Sequence, residues 1–326
     1  MKKAFFINGG AGRVLCAIPA LEHYAKNIDN DIIIIAEGWY ELYLTSSILM
    51  DKVYSVDSKG IFNLVKDREI VSPEPYRLNE YYNQKCNLIQ AFDIIINGYE
   101  NEGIPTTKFY EPSIYKADHV KGYSLVQQTK HNFQKDKVIV FQPFGSSVKQ
   151  EGNIIYDESG RSFELQNVIQ IAKELSKEYA VIMMSQLDIP TNEQINVMIP
   201  QNINILEWHG IISCSDYFLG CDSVGQHIAN FLKKPSTVVI GSTFPENISY
   251  QENELFDIID MGEEKRKYSP IRITTDITIE RNNEELMYME SEDINKIIDN
   301  IKSKLGKNKY SNQEQTKLCC SDGNCK

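Results

Sequence analysis

The feature that most constrains this chain is a repeated pairing of a short, unbroken apolar run with a stretch of helical spacing. KAFFIN (3–8) precedes Val14, Leu15, Ala17, Ile18, Leu21 and Ala25, which recur at helical intervals. DIIIIAEG (31–38) follows, and FDIIING (92–98) reads as a third strand of the same kind. A strand with one wet face alternates apolar and polar residues. These runs do not, so they suit a parallel sheet covered by helices on both faces.

After the polar HNFQKDK (131–137) the series starts again. KVIVFQPFG (137–145) reads as a strand, FELQNVIQIAKELSK (163–177) as a helix, YAVIMMS (179–185) as a strand and NINIL (202–206) as strand-like. WHGIISCS (208–215) is helix-like, DYFLG (216–220) a strand, a helix starts near Ser223, and STVVIG (236–241) is a strand. Each helix is long enough to cross from one parallel strand to the next. At 326 residues the chain exceeds one ordinary core and suits two domains of about 150 residues each. The expectation is an α/β protein of two doubly wound, Rossmann-like domains, 1–131 and 132–306. The second closes with an amphipathic helix capped by Ser291, apolar at Ile294, Ile297, Ile298, Ile301 and Leu305 and stopped by Gly306. Residues 307–326 are polar and read as a flexible tail.

A formal net charge of −11 argues against holding nucleic acid by bulk electrostatics, leaving only a local basic groove for that purpose. No uncharged apolar run reaches 18 residues, so no stable membrane insertion is expected, and MKKAFFINGG reads as a first strand rather than a signal peptide. Of seven cysteines, Cys16, Cys86, Cys214 and Cys221 sit inside patterned segments, as reduced thiols of a cytoplasmic protein do. Cys319, Cys320 and Cys325 form an incomplete tetrahedral set, and no metal is assigned to them. Asp29-Asn30-Asp31 has the residue types of a turn. YRLNEYYN (76–83) either stacks sugars or bases or is a solvated amphipathic segment, and IRITTDITIE (271–280) alternates like a surface hairpin.

Three loops carry residues with chemical capacity. In INGGAGRVLCAIPAL (7–21), Gly9, Gly10 and Gly12 lie where the first strand turns into the first helix, either as a tight turn or to let a ligand approach the backbone. The pattern is not G-x-G-x-x-G and has no P-loop lysine. In GCDSVGQHIANFLKKPSTVVIGSTFPE (220–246), Asp222 or Ser223 can cap the helix, with N–H groups near Val224, Gly225 and Gln226 open to a phosphate. His227, one turn in, is either a hydrogen-bonded core residue or a catalyst. In QPFGSSVKQEGNIIYDESGRSF (142–163), Gly145, Ser146 and Ser147 leave a strand end and Arg161 returns to it. Hydroxyls and a guanidinium suit phosphate oxygens, the alternative for Arg161 being solvent.

INGGAGRVLCAIPAL, FQPFGSS followed by RSF, and ISCSDYFLGCDSVGQHIANFLKKPSTVVIGST together resemble glycosyltransferase family 9, the heptosyltransferase-like enzymes with the two-domain GT-B fold, over about residues 1–250. The resemblance implies metal-independent transfer, with no cofactor, from a nucleotide-diphosphate sugar to an acceptor hydroxyl held by the first domain across a cleft. It implies that Ser146, Ser147 and Arg161 hold the diphosphate with Ser223, Val224 and Gly225. It further implies that Asp222 contacts the donor sugar or orders its loop and that Thr243 closes the donor pocket. Arg161 and Asp222 are the catalytic candidates; Gly9, Gly10, Gly12 and Arg13 form the acceptor-side loop. The acceptor implied is a bacterial surface glycan of the lipopolysaccharide-core type. The alternatives are 5-hydroxymethylated cytosine in DNA, or binding of a nucleotide sugar without catalysis. Many members have an aspartate where this chain has Arg13, and a guanidinium cannot accept a proton. Either Glu37, Glu100, Asp57 or another carboxylate replaces it, or the acceptor is activated differently, or the protein binds without turnover. Arg13 is itself expected to bind a phosphate of the acceptor.

Overall fold

The computed structural model describes residues 2–99, 102–152, 154–187, 189, 195–266 and 285–306. The expected hairpin at 271–280, the tail with its three cysteines, and Glu100 lie outside the described residues. The first half runs β1 (Lys3–Ile7), α1 (Ala11–Asn27), β2 (Ile33–Ala36), α2 (Tyr40–Tyr43), β3 (Val53–Ser55), α3 (Ile61–Val65), β4 (Glu69–Val71), a 3-10 turn (Pro75–Arg77), α4 (Asn79–Tyr82), α5 (Leu88–Asn97) and α6 (Lys116–Phe133). The second runs β5 (Val138–Gln142), β6 (Lys149–Glu151), β7 (Ile154–Tyr156), α7 (Leu165–Glu178), β8 (Ala180–Met183), β9 (Val197–Met198) and α8 (Ile205–Cys214). It continues with β10 (Tyr217–Cys221), α9 (Val224–Phe231), β11 (Ser236–Ile240), α10 (Pro245–Ile248), β12 (Phe256–Asp260) and α11 (Ser291–Leu305).

Two parallel sheets result, one in the order β3-β2-β1-β4 and one in the order β12-β11-β10-β5-β8-β9. β6 and β7 form a separate antiparallel hairpin. Every residue of β5, β10 and β11 is buried, which is why those runs show no polar alternation. In each sheet the strand order reverses beside the first strand, between β1 and β4 and between β5 and β10. Open α/β sheets bind ligands outside the carboxyl ends of the strands at such a switch point.

Three expectations change. FDIIING is not a strand: it lies in α5, where Asn87 and Gln90 form a reciprocal capping box and Gly98 ends the helix at φ +82°. Pressed against α1, nearly all of α5 is buried, so a helix there reads as an unbroken apolar run. The sheet is completed instead by the short β3 and β4, whose sequences carry little apolar signal. NINIL is likewise not a strand: its last two residues, Ile205 and Leu206, open α8, because Asn204 and Glu207 form a capping box there. The final helix is present, but Glu290 rather than Ser291 is its cap, in a box with Asp293.

One apolar cluster runs from α1 and α5 through Ile228 and Phe231 of α9 to Val140 and Phe218 on one face of the second sheet. Tyr110 meets Phe231 with ring centroids 4.6 Å apart. The other face, through Ile139, Phe141, Leu219 and Val239, packs on α7 and α11, so the final helix sits in the second sheet's own core. Helix α6, which runs across the expected boundary at 131/132, crosses α8 of the second sheet. The crossing is close because a Cβ on Gly122 would lie 2.3 Å from the carbonyl carbon of Gly210. No described helix is long and apolar enough to cross a membrane.

Candidate functional site

The register brings the expected loops to one edge. Gly220 pairs with Gln142, Cys221 with Val239, and Ile240 with Asp260, so the strand ends of β5, β10, β11 and β12 lie side by side. The loops that follow them carry Ser146, Ser147 and Arg161, then Asp222 to Gly225, then Thr243.

The β5 loop is held from within. Ser159 donates its N–H to Asp157 Oδ1 at 2.8 Å, Ser162 donates its hydroxyl to Asp157 Oδ2 at 2.5 Å, and Gly145 donates its N–H to Ser162 Oγ at 3.0 Å. Ser242, at the end of β11, donates its hydroxyl to the Ser159 carbonyl, which joins the two loops. On this base stands Arg161, half-buried, donating from Nη2 to Ser147 Oγ at 2.8 Å and from Nε to Ser159 Oγ at 3.1 Å. Arg161 and Ser147 are thus brought together, whereas Ser146 is exposed beside them. A guanidinium fixed in this way presents a planar fork of donors to an anion.

Asp222 is 3% exposed and accepts from Gln226 Nε2 at 2.8 Å. Burial pushes its pKa up, against which Arg161, Thr243 and Gln226 pull it down. Two acceptor-capable atoms near it, Gln226 Oε1 and Thr243 Oγ1, are buried without a well-formed partner. Buried polar atoms are rarely left so, and a cluster of them marks a place for hydroxyl groups or ordered water.

The start of α9 differs from expectation. Neither Asp222 nor Ser223 caps it with a side chain. Asp222 is engaged by Gln226, and Ser223 Oγ accepts from Gln142 Nε2 at 2.9 Å. Gln142 Oε1 accepts the Gly225 N–H at 2.9 Å, so that donor is not open to a phosphate. Glycine is required at 225 because a Cβ would lie 2.2 Å from Gln142 Oε1 and 2.6 Å from Phe218. Sequence reasoning passed over Gln142; the one signal was an amide at the end of an otherwise apolar strand.

The glycine turn after β1 is also explained by packing at two of its glycines. Gly9 has φ +97°, and a Cβ there would lie 2.7 Å from Arg13 Cδ. A Cβ on Gly12 would lie 2.8 Å from His227 Cδ2, so the start of α1 abuts the start of α9. Gly10 is exposed, with open space about its Cβ position. His227 takes the core role: Nδ1 lies 2.6 Å from Tyr250 Oη and 3.6 Å from Cys16 Sγ, and burial lowers its pKa to about 3, so it is neutral.

Arg13 is not the free cation expected at an acceptor mouth. Its side chain is 9% exposed, Nη1 donates to Glu74 Oε1 at 3.1 Å and Nη2 to the Pro73 carbonyl at 3.0 Å. The guanidinium lies 4.9 Å from the Tyr76 ring centroid and 5.7 Å from that of Phe92. The tyrosines of YRLNEYYN are correspondingly divided: Tyr76 stacks on Arg13, Tyr81 is buried, and Tyr82 is exposed. Glu37 and Asp57 are exposed. Asp31 pairs with Lys2 and Arg68, and among the described residues no three His, Cys, Asp or Glu side chains are grouped to hold a metal.

By sequence, no family model matches the chain and no curated protein does. By structure it is similar to a glycosyl transferase family 9 protein from Veillonella parvula, with a TM-score of 0.60 at 13% identity, over 91% of this chain and 96% of that one. It is also similar to the E. coli ADP-heptose lipopolysaccharide heptosyltransferase II (TM-score 0.54, 10% identity, 79% of this chain and 90% of that one). A third likeness is to the dodecameric iron-containing glycosyltransferase TibC of enterotoxigenic E. coli (TM-score 0.54, 11% identity, 93% and 76%). The architecture is therefore the GT-B fold these proteins share.

Proposed function

We propose that the chain is a glycosyltransferase that binds a nucleotide-diphosphate sugar along the carboxyl-terminal edge of the second sheet. The sugar passes to an acceptor hydroxyl presented from the first sheet. The observation that carries this reading is the meeting, at the β5/β10 switch point, of Arg161 fixed by Ser147 with the buried Asp222–Gln226 pair. The first is a seat for a diphosphate. The second, with Thr243 beside it and two buried acceptors unpartnered, is a seat for sugar hydroxyls.

As the bond from the anomeric carbon to the diphosphate lengthens, negative charge accumulates on the leaving phosphate. A preorganised guanidinium with neighbouring hydroxyls stabilises that charge more than it stabilises the intact donor, which is the requirement for acceleration. Ser146, Ser147, Ser223 and Val224 remain assigned to the phosphates in this proposal, whereas Gly225 contributes by its packing on Gln142. Because the E. coli heptosyltransferase II uses ADP-heptose, that sugar nucleotide heads the list of donors to try. The acceptor proposed is a bacterial surface glycan of the lipopolysaccharide-core type.

The test is release of nucleoside diphosphate by the purified protein across a panel of nucleotide sugars. Each is offered alone, with truncated lipopolysaccharide, and with DNA containing 5-hydroxymethylated cytosine. Release that requires one glycan acceptor supports the proposal, and release that requires the DNA replaces the acceptor class. Nucleotide binding with no release above an Arg161→Ala control leaves a nucleotide-sugar-binding protein without transferase activity.

A further inference from the structure

Transfer to a hydroxyl needs a group to take the hydroxyl's proton, and such a group must be positioned, ionised and open to the acceptor. Arg13 cannot accept a proton, and burial raises the pKa of Asp222, which the proposal places on the donor side. Of the carboxylates weighed from sequence, Glu37 and Asp57 are exposed surface groups.

Glu74 fits the requirement. It lies 61 residues from Arg13 in sequence, yet Arg13 Nη1 holds its Oε1 at 3.1 Å, and the second guanidinium nitrogen is 3.5 Å from Oε2. Arg13 is itself immobilised by the Pro73 carbonyl and by the faces of Tyr76 and Phe92, with Gly9 making the room for its stem. The anchor is buried, but the side chain of Glu74 is 38% exposed, so a fixed carboxylate opens to solvent. Tyr76, two residues on, lies against the Arg13 guanidinium, and burial raises its pKa first, with Arg13, Asp222 and Glu74 among the charges that bear on it. The helix that carries Arg13 also abuts α9 through Gly12 and Val224.

We infer that Glu74 is the general base for the acceptor, an assignment that rests on the glycosyltransferase reading above. The acceptor O–H proton moves to the Glu74 carboxylate as the oxygen bonds to the anomeric carbon. The bond from that carbon to the diphosphate breaks, the nucleoside diphosphate leaves with the electron pair, and Glu74 then returns the proton to water. Arg13 is the positioning residue: it holds the carboxylate in place, and occupies the place at the glycine turn from which a shorter acid would have acted.

The experiment compares wild type, Glu74→Gln and Glu74→Ala, using the donor and acceptor pair that gives release in the panel, beginning with ADP-heptose and truncated lipopolysaccharide. ADP binding is titrated in parallel. Glu74→Gln can still accept a hydrogen bond from Arg13, so a merely structural Glu74 would leave it active. The expected result is a fall in kcat of about 100-fold or more, with donor KM and ADP affinity within about threefold of wild type. Added formate should partly restore Glu74→Ala. A Glu74→Gln enzyme within about threefold of wild-type kcat overturns the assignment while leaving the glycosyltransferase reading intact. Absence of release by wild type with every pair, ADP still binding, overturns both.

Discussion

Gln226 donates from Nε2 to Asp222 Oδ1 at 2.8 Å, one helical turn away, and its own Oε1 stays buried without a partner. The pair is therefore satisfied on the acid and open on the amide. Replacing Gln226 by Leu takes a donor from a buried carboxyl and should cost about 1–3 kcal/mol of stability. It should also raise the donor KM without a matching loss of ADP affinity. Urea unfolding and ADP titration separate the two effects.

The raised pKa of Asp222 gives a pH prediction of definite sign. The folded protein keeps a proton that the unfolded chain has released. This contribution to stability is therefore complete below the ordinary carboxylate value of 3.8 and is lost as pH rises through the raised folded value. Asp222→Asn lacks that loss, so its stability relative to wild type should improve as pH rises. Unfolding midpoints at pH 4 and pH 7 test it, and a relative change of opposite sign refutes the assignment of burial as the dominant cause.

Two histidines act in the other direction. Burial lowers His227 to about 3 and His209 to about 4, from 6.5, so both are neutral in the fold. Their contribution is whole above pH 6.5 and is lost as pH falls toward 4, because only the unfolded chain takes up the protons. Each adds a slope of up to about 1.4 kcal/mol per pH unit in that window. His209 donates from one ring nitrogen to the Ile205 carbonyl and leaves Nε2 buried without a partner, so His209→Gln should remove one histidine's share of the slope. Equilibrium unfolding between pH 7 and pH 4.5 measures it.

Arg161→Lys keeps a charge but loses the fork held by Ser147 and Ser159. ADP affinity should fall by about 10- to 100-fold, the range set by one or two charge-assisted hydrogen bonds. Thermal stability should change little, since the side chain is half-buried and bonds only two hydroxyls. Calorimetric titration with ADP and a melting curve suffice, and equal ADP affinity in the two proteins would remove Arg161 from the diphosphate seat.

At the α6/α8 crossing, Gly122→Ala places a methyl against the backbone of Gly210, which cannot move aside as a side chain would. A loss of about 1–3 kcal/mol or more is expected. Ala at Gly10, where nothing crowds the Cβ position, should by contrast be tolerated in stability measurements.

Much of this architecture was legible without coordinates. The runs at β1, β2, β5, β8, β10 and β11 and the helices α1, α7, α9 and α11 fall where periodicity places them. FDIIING was misread because α5 is buried almost all round, and burial on every side erases the 3.6-residue period that separates a helix from a strand. The better signal was the Asn87-x-x-Gln90 box ahead of it and Gly98 behind. The polar loops that the structure brings to one sheet edge were legible for the same local reason: Gly, Ser, Asp and Arg cluster at strand ends. The roles of Gln142 and Glu74 were not, because each is defined by a partner more than 60 residues away.

The sequence by itself determined a parallel α/β chain with two β-α series and polar loops at the ends of its strands. Those properties follow from residue spacing and capping, which act over a few positions. Only the tertiary structure decided what the loops do with their groups. Gly225 gives its N–H to Gln142, 83 residues away, and Arg13 spends its charge on Glu74, 61 residues away. Such pairings are set by which strand ends and helices a sheet brings side by side, and by the cost of leaving a buried donor or charge unmet, and no local pattern encodes them.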